Sequence, residues 1–155
     1  MAILEVGISL EMKRLVEIKY YSSSDNILDH TFSRTTRFLA GLENFITEVY
    51  GDEIRVISLS DFEIICYPKL IPLQNKETIS DQVLLIYAII EKGIERDFVN
   101  RHLQEIIADF LKKYDLNEIK LKELEYFKDF KPHVDKILGD LRFNTEDRIK
   151  SIFRD

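Results

Sequence analysis

The sequence predicts an α+β fold: a five-stranded, mainly antiparallel sheet in the order β-β-α-β-β-β-α, with helices on both faces and a C-terminal helical extension. The main observation is an apolar run from Val83 to Ile90, which has no polar alternation and therefore indicates a central strand covered on both faces. Two alternating segments and a helical pattern precede this run, and another helical pattern follows it at once.

The first 50 residues predict a hairpin followed by a helix. Apolar residues occupy every second position from Leu4 to Leu10, and the alternation resumes from Val16 to Tyr20 after a polar turn. From Thr31 to Tyr50, the apolar residues fall on one arc at helical spacing, so this helix should lie on the sheet by one face.

The middle of the chain predicts two short strands, Glu53–Leu59 and Phe62–Tyr67, and then a loop from Pro68 to Asp81 that leads into the central strand. A second helix, Ile94–Tyr114, has an apolar arc of similar width and should cover the other face of the sheet. Beyond Asp115 the apolar spacing is helical throughout, with a break at Pro132.

Length and composition predict one compact unit. With 155 residues, of which 45% are hydrophobic, the chain is long enough for a single core and short for two ordinary domains. We expect a domain over residues 1–115 and a helical extension over 116–155 packed on it. The apolar stripe of the extension leaves a second possibility open, namely a detachable helix offered to a partner.

Charge and hydropathy exclude several classes of partner. The net charge of −6 has the wrong sign for electrostatic binding to nucleic acid or to an anionic membrane. No apolar stretch approaches the roughly 20 residues that span a bilayer, so we expect a cytoplasmic protein without membrane insertion. The single cysteine, Cys66, lies in an apolar strand pattern and predicts packing rather than a disulfide framework.

No motif in the sequence predicts chemistry. The three histidines, His30, His102 and His133, fall on separate elements without zinc-ligand spacing. Glycines are scattered, and neither a phosphate-binding loop nor a nucleophile motif is present. We therefore expect no catalytic residues, no metal and no cofactor, and a protein that is not an enzyme.

The element order and several segments resemble a known family. Residues 38–46 (FLAGLENFI) and 62–67 (FEIICY), within a resemblance that covers residues 2–114, are similar to longin and roadblock domains of the SNARE-like superfamily. In the tail, residues 137–141 (ILGDL) and 146–150 (EDRIK) resemble extensions of archaeal longin-type proteins. These families have no strict residue motif, so no functional residue is transferred.

The resemblance implies a function. It implies a non-catalytic adaptor, typically dimeric, that binds or regulates a small Ras-like GTPase or another longin or roadblock chain in trafficking or signalling. The alternative is a small-molecule sensor, because PAS-like and profilin-like sheets covered by a helix also hold ligand pockets. The apolar core positions, which offer few polar groups to orient a ligand, favour the adaptor.

Two features predict a partner interface. Leu70, Ile71 and Leu73 lie around Pro72 in a connection longer than hairpins need, and this connection could form an exposed docking patch or close over the core. Phe98 lies off the apolar arc of its helix, where it either meets a partner or packs on the tail.

Overall fold

The computed structural model describes residues 3–11, 13–20, 55–58, 62–75 and 77–142. Its strands are β1 (Ile3–Leu10), β2 (Lys13–Lys19), β3 (Arg55–Ser58), β4 (Phe62–Asn75) and β5 (Thr78–Glu91). All neighbouring strands are antiparallel, and their order across the sheet is β2-β1-β5-β4-β3. The apolar run Val83–Ile90 therefore lies on a central strand, between β1 and β4.

The predicted fold class is wrong in its sheet. The sheet is built mainly from four strands, β2-β1-β5-β4, and not from the five predicted, because β3 contributes only four described residues, which pair with β4. The described helices belong to one layer, packed on one face of the sheet. The helix predicted for the other face, Thr31–Tyr50, lies outside the described residues. The fold is α+β.

The predicted loop from Pro68 to Asp81 is also wrong, because most of it is strand. β4 and β5 form a hairpin of two 14-residue strands, paired from Phe62↔Glu91 to Asn75↔Thr78. Proline cannot donate to a strand ladder and is tolerated where its nitrogen faces away from the neighbouring strand. Among the described residues, β3 pairs with β4 only as far as Cys66, so Pro68 and Pro72 lie beyond that pairing on the outer edge of β4.

The helical part follows β5 directly. It consists of α1 (Arg96–Lys113), α2 (Leu116–Leu121), a seven-residue 3₁₀ helix that we call the 3₁₀ segment (Leu124–Phe130), α3 (Lys131–Leu138) and a short 3₁₀ turn (Gly139–Arg142). Within the described residues, no helix is long and apolar enough to cross a bilayer.

One hydrophobic core joins the helices to the sheet. Alternate residues of β1 and β5, among them Val6, Ile8 and Ile86, face the buried stripe of α1. Side chains from the tail enter the same core; they are Ile119, Phe127, Phe130, Val134 and Leu138. The described part of the tail, residues 116–142, is therefore packed on the sheet layer. The division into two domains stays a prediction. Asn144 and Asp147 predict the cap of a last short helix, which lies outside the described residues.

The packing of the tail predicts that two of its leucines contribute very differently to the free energy of unfolding. Leu138 is 3% exposed and Leu121 is 68% exposed. Leu138→Ala should lower the free energy of unfolding by about 2–5 kcal/mol, because it leaves a cavity in the shared core. Leu121→Ala should change it by no more than about 0.5 kcal/mol. Urea unfolding of both variants measures the difference, and equal midpoints would show that the tail does not belong to the core.

Candidate functional site

The structure separates the four residues predicted as an interface. Ile71 and Leu73 are buried in the core, which makes them unavailable to a partner. Leu70 points to the opposite face of the sheet and is exposed. The docking patch expected from these three residues therefore reduces to a single exposed leucine.

Phe98 is exposed at the start of α1, where it packs edge-on against His102 with ring centroids 4.5 Å apart. The start of α1 is fixed to the start of β4, because Arg96 Nε donates to Glu63 Oε2 at 2.7 Å. Leu70 lies seven residues further along β4, which corresponds to about 23 Å of extended strand. Phe98 and Leu70 do not form one surface.

A groove runs beside β2 instead. Its cavity has a volume of about 260 Å³, and we call it the β2 groove. Its walls come from two parts of the chain that are far apart in sequence: Leu15, Val16, Glu17 and Ile18 of β2, and Leu124, Phe127, Lys128 and Lys131 of the 3₁₀ segment and α3. The walls are mostly apolar, with basic groups on the helical side.

Local structure explains how β2 comes to border a groove. The pairing of β1 with β2 shifts between Ile8 and Ser9, so Leu15 bulges out of the ladder and is buried in the core. Lys13 Nζ donates to the carbonyls of Lys120 and Lys122 at 2.7 and 3.0 Å. This cation binds the carbonyl end of α2, which the helix dipole favours, and so fixes the tail to the beginning of β2.

The main chain of β2 faces outward at the groove. Tyr20 N donates to Leu4 O at 2.8 Å. Since hydrogen-bonded pairs alternate along an antiparallel ladder, Ile18 also points its N–H and C=O toward β1, whereas Glu17 points them away. In the part of the chain that the structure describes, β2 pairs with β1 alone. The groove therefore lies beside a strand edge with polar main-chain groups.

The charges around the groove are partly paired. Lys128 forms an ion pair with Glu125 at 2.7 Å, and Lys131 with Asp135 at 2.8 Å. Burial raises the pKa of Asp135, but hydrogen bonds from Lys131 and Tyr20 outweigh it and hold the pKa below its usual value. Asp135 is therefore ionised at neutral pH, and it fixes the Lys131 ammonium beside the groove.

A second polar cluster lies in the sheet itself, on the face opposite the described helices. The hydroxyl of Tyr87 donates to Glu5 Oε2 at 2.7 Å and accepts from Arg14 Nη1 at 2.8 Å. The Tyr87 ring occupies the space over Gly7, where a Cβ atom would lie 2.4 Å from the ring. Glycine is therefore required at position 7 for the tyrosine to reach both partners.

Burial dominates the electrostatics of this cluster. It raises the pKa of Glu5, against the effect of the Tyr87 hydrogen bond, and it raises the pKa of Tyr87. Among the described residues, no group of three His, Cys, Asp or Glu side chains is placed to hold a metal. We interpret the cluster as a structural network that orders β1, β2 and β5, since the hydrogen bonds of Tyr87 to Glu5 and Arg14 join these three strands.

Sequence reasoning missed both the β2 groove and the cluster. The groove needs Val16 and Phe127, which are more than 100 residues apart, and no periodicity relates them. The alternation on the strands predicts solvated side chains for Glu5, Glu17 and Glu63; Glu17 is exposed, but Glu5 and Glu63 are buried. One signal was available for the cluster: a glycine at an inward-facing strand position indicates the close approach of another group.

Comparisons with known proteins leave the family open. Neither the family models nor the curated proteins contain a match to this chain. The resemblance to longin and roadblock domains therefore has no relative to support it, and what it implies stays a prediction.

The close approach of Gly7 and Tyr87 predicts a non-additive pair of substitutions. Gly7→Ala should lower the free energy of unfolding by about 1–3 kcal/mol, because the added methyl displaces the ring. In a Tyr87→Leu background the same substitution should cost less than half as much. Urea unfolding of the four proteins in this double-mutant cycle measures the coupling, and strict additivity would contradict the contact.

Burial of Glu5 predicts an inverse dependence of stability on pH. Because its pKa is raised in the folded state, its contribution is complete below the ordinary glutamate pKa of about 4.3 and is lost as pH rises through the folded value. Glu5→Gln cannot ionise and should therefore gain stability relative to the parent protein as pH rises toward 7. Chemical unfolding at several pH values tests this, with exposed Glu77→Gln as the control, which should follow the parent at every pH.

Proposed function

We propose that this protein is a non-catalytic adaptor, which binds another protein by pairing an extended segment of that partner with the edge of β2. The observation that supports the proposal is the β2 groove, which combines an outward-facing main chain at Glu17 with apolar walls and two lysines. Main-chain groups give such strand addition its affinity, and neighbouring side-chain pockets give it specificity.

The contrast between the two long edge regions favours β2. On β4, beyond its pairing with β3, the edge contains Pro68 and Pro72, and prolines block strand addition. β2 has no proline, and a groove lies beside it. On β2, charged residues protect the strand edge against unspecific pairing with other chains. The same charges can also favour a partner of opposite charge.

Charge favours an acidic partner segment over a second copy of β2. The strand has three basic residues, Lys13, Arg14 and Lys19, against Glu17, while Lys128 and Lys131 line the other wall. The register that pairs all of β2 with another β2 places Lys13 opposite Lys19, and like charges in that arrangement are destabilising. The proposed occupant is therefore an extended, acidic and apolar segment of a different protein.

The resemblance to longin and roadblock domains supplies the proposed class of partner. It favours a small Ras-like GTPase, whose nucleotide state would then control binding, or a second longin or roadblock chain. The proposed adaptor acts in the cytoplasm, in trafficking or signalling, and needs no insertion into a membrane.

One observation also supports the alternative function, a small-molecule sensor. The β2 groove has a volume of about 260 Å³, close to the lower end of ligand pockets, and its apolar walls next to lysines suit a small amphipathic anion. A rise in melting temperature with such a metabolite, in the absence of any protein partner, would favour the sensor over the adaptor.

Strand addition predicts a difference between two substitutions at one position. Glu17→Pro removes the outward N–H and should weaken partner binding at least about tenfold, while pairing with β1 is kept. Glu17→Ala keeps the N–H, so its affinity for the partner should stay closer to that of the parent protein than the affinity of Glu17→Pro does. The partner is first captured from lysate with excess GDP or a non-hydrolysable GTP analogue, and affinities are then measured with the purified partner.

Urea unfolding of both Glu17 variants shows that they are folded. A folded Glu17→Pro protein that binds as tightly as the parent would exclude strand addition at β2. A captured Ras-like GTPase enriched in one nucleotide state would support the proposed partner class, and a partner indifferent to nucleotide would contradict it.

A further inference from the structure

A second cavity lies on the helical layer, away from β2. It is an open cleft of about 500 Å³, and we call it the Tyr114 cleft. It is lined by Lys113 and Tyr114 at the end of α1, Glu118 of α2, and Glu125, Tyr126 and Asp129 of the 3₁₀ segment. None of these residues lines the β2 groove, so the cleft is independent of the proposed function.

An unpaired phenol lies at the cleft. Tyr114 is 5% exposed, and its ring packs against Phe110 and Phe127 at centroid distances of 5.0 and 4.9 Å. Its hydroxyl oxygen is buried and has no hydrogen-bond partner in the part of the chain that the structure describes. Burying a hydroxyl without a hydrogen-bond partner costs free energy, so the missing partner indicates that a ligand could supply the hydrogen bond.

The phenol shares the cleft with acidic side chains. Burial raises the pKa of Tyr114, and the negative charges of Asp129 and Glu118 raise it further. The hydroxyl therefore lies within electrostatic reach of both carboxylates, and both carboxylates line the same cavity.

Only one of the three carboxylates is left without a partner. Glu118 accepts from Asp115 N at 3.1 Å and from the hydroxyl of Tyr126, and Glu125 pairs with Lys128 at 2.7 Å. Asp129 makes no hydrogen bond or ion pair with the described residues. The cleft thus combines one unpaired carboxylate with one unpaired phenol.

The tyrosine rings of the cleft already attract ammonium groups. Lys113 Nζ lies 5.7 Å from the centroid of the Tyr114 ring, and Lys122 Nζ lies 5.2 Å from that of Tyr126. Both contacts are within the range of a cation–π interaction. The aromatic rings of the cleft are therefore compatible with contact by an ammonium group.

We propose that the Tyr114 cleft binds a small organic ammonium ion. Asp129 would provide the counter-charge, the Tyr114 hydroxyl would accept from the ammonium N–H, and the Tyr126 ring would form an apolar wall. A phenol accepts as well as donates, and hydrogen bonds from an ammonium group are among the stronger ones. A bare metal ion fits less well, because no group of three metal-ligating side chains occurs in the described part of the chain.

Calorimetric titration of the full-length protein with putrescine at constant ionic strength tests the proposal. Saturable binding is expected, and Tyr114→Phe and Asp129→Asn should each weaken it about tenfold or more, as loss of a hydrogen bond to a charged group does. Tyr67→Phe and Glu105→Gln are matched controls outside the cleft, and both should bind as the parent does. Tetramethylammonium, which has no N–H, should bind more weakly and lose little when Tyr114 becomes Phe.

The variants also separate binding from folding. Tyr114→Phe should keep or raise the melting temperature, because it removes a buried hydroxyl that lacks a partner. Absence of saturable binding to the parent protein would overturn the proposal. Equal affinities for Tyr114→Phe and Tyr67→Phe, or magnesium binding as tight as putrescine binding, would reduce the cleft to an ordinary acidic surface.

Discussion

The structure depends on a central pair of strands that is buried on both faces. All eight residues of β1 are buried, and so are Val83–Ile90 of β5, which pairs with it. A strand in this position allows no unpaired polar side chain and no mismatch in volume. The one carboxylate within β1, Glu5, is therefore hydrogen-bonded by Tyr87, and the ring that makes this bond fits only because position 7 is glycine.

The sequence predicted the parts of the fold that depend on this burial. The unbroken apolar run placed β5 correctly at the centre, and the apolar arc of Ile94–Tyr114 predicted α1, which is Arg96–Lys113. The sheet was predicted less well. Pro68 and Pro72 suggested a loop, although prolines are compatible with an outer strand edge, and among the described residues β3 pairs with β4 only as far as Cys66.

Neither cavity could be predicted from the sequence, for two different physical reasons. The β2 groove is formed by residues that periodicity cannot relate, because the tail returns across more than 100 positions to lie beside Val16. At the Tyr114 cleft the difficulty is another one, because the helical periodicity does assign Tyr114 to the core. Tyr114 continues the apolar arc of α1, and a helical pattern assigns its ring correctly but says nothing about the hydroxyl at the end of the ring.

The 3₁₀ segment connects the two cavities. Leu124, Phe127 and Lys128 line the β2 groove, whereas Glu125, Tyr126 and Asp129 line the Tyr114 cleft. Phe127 and Phe130 anchor the segment in the core, so the same seven residues contribute to the walls of both cavities. If both proposals hold, linkage requires reciprocity: any change that an ammonium ion causes in partner affinity must equal the change that the partner causes in ammonium affinity. A single short segment is then the place where a small-molecule signal and a protein contact meet, and the adaptor and sensor functions become compatible in one chain.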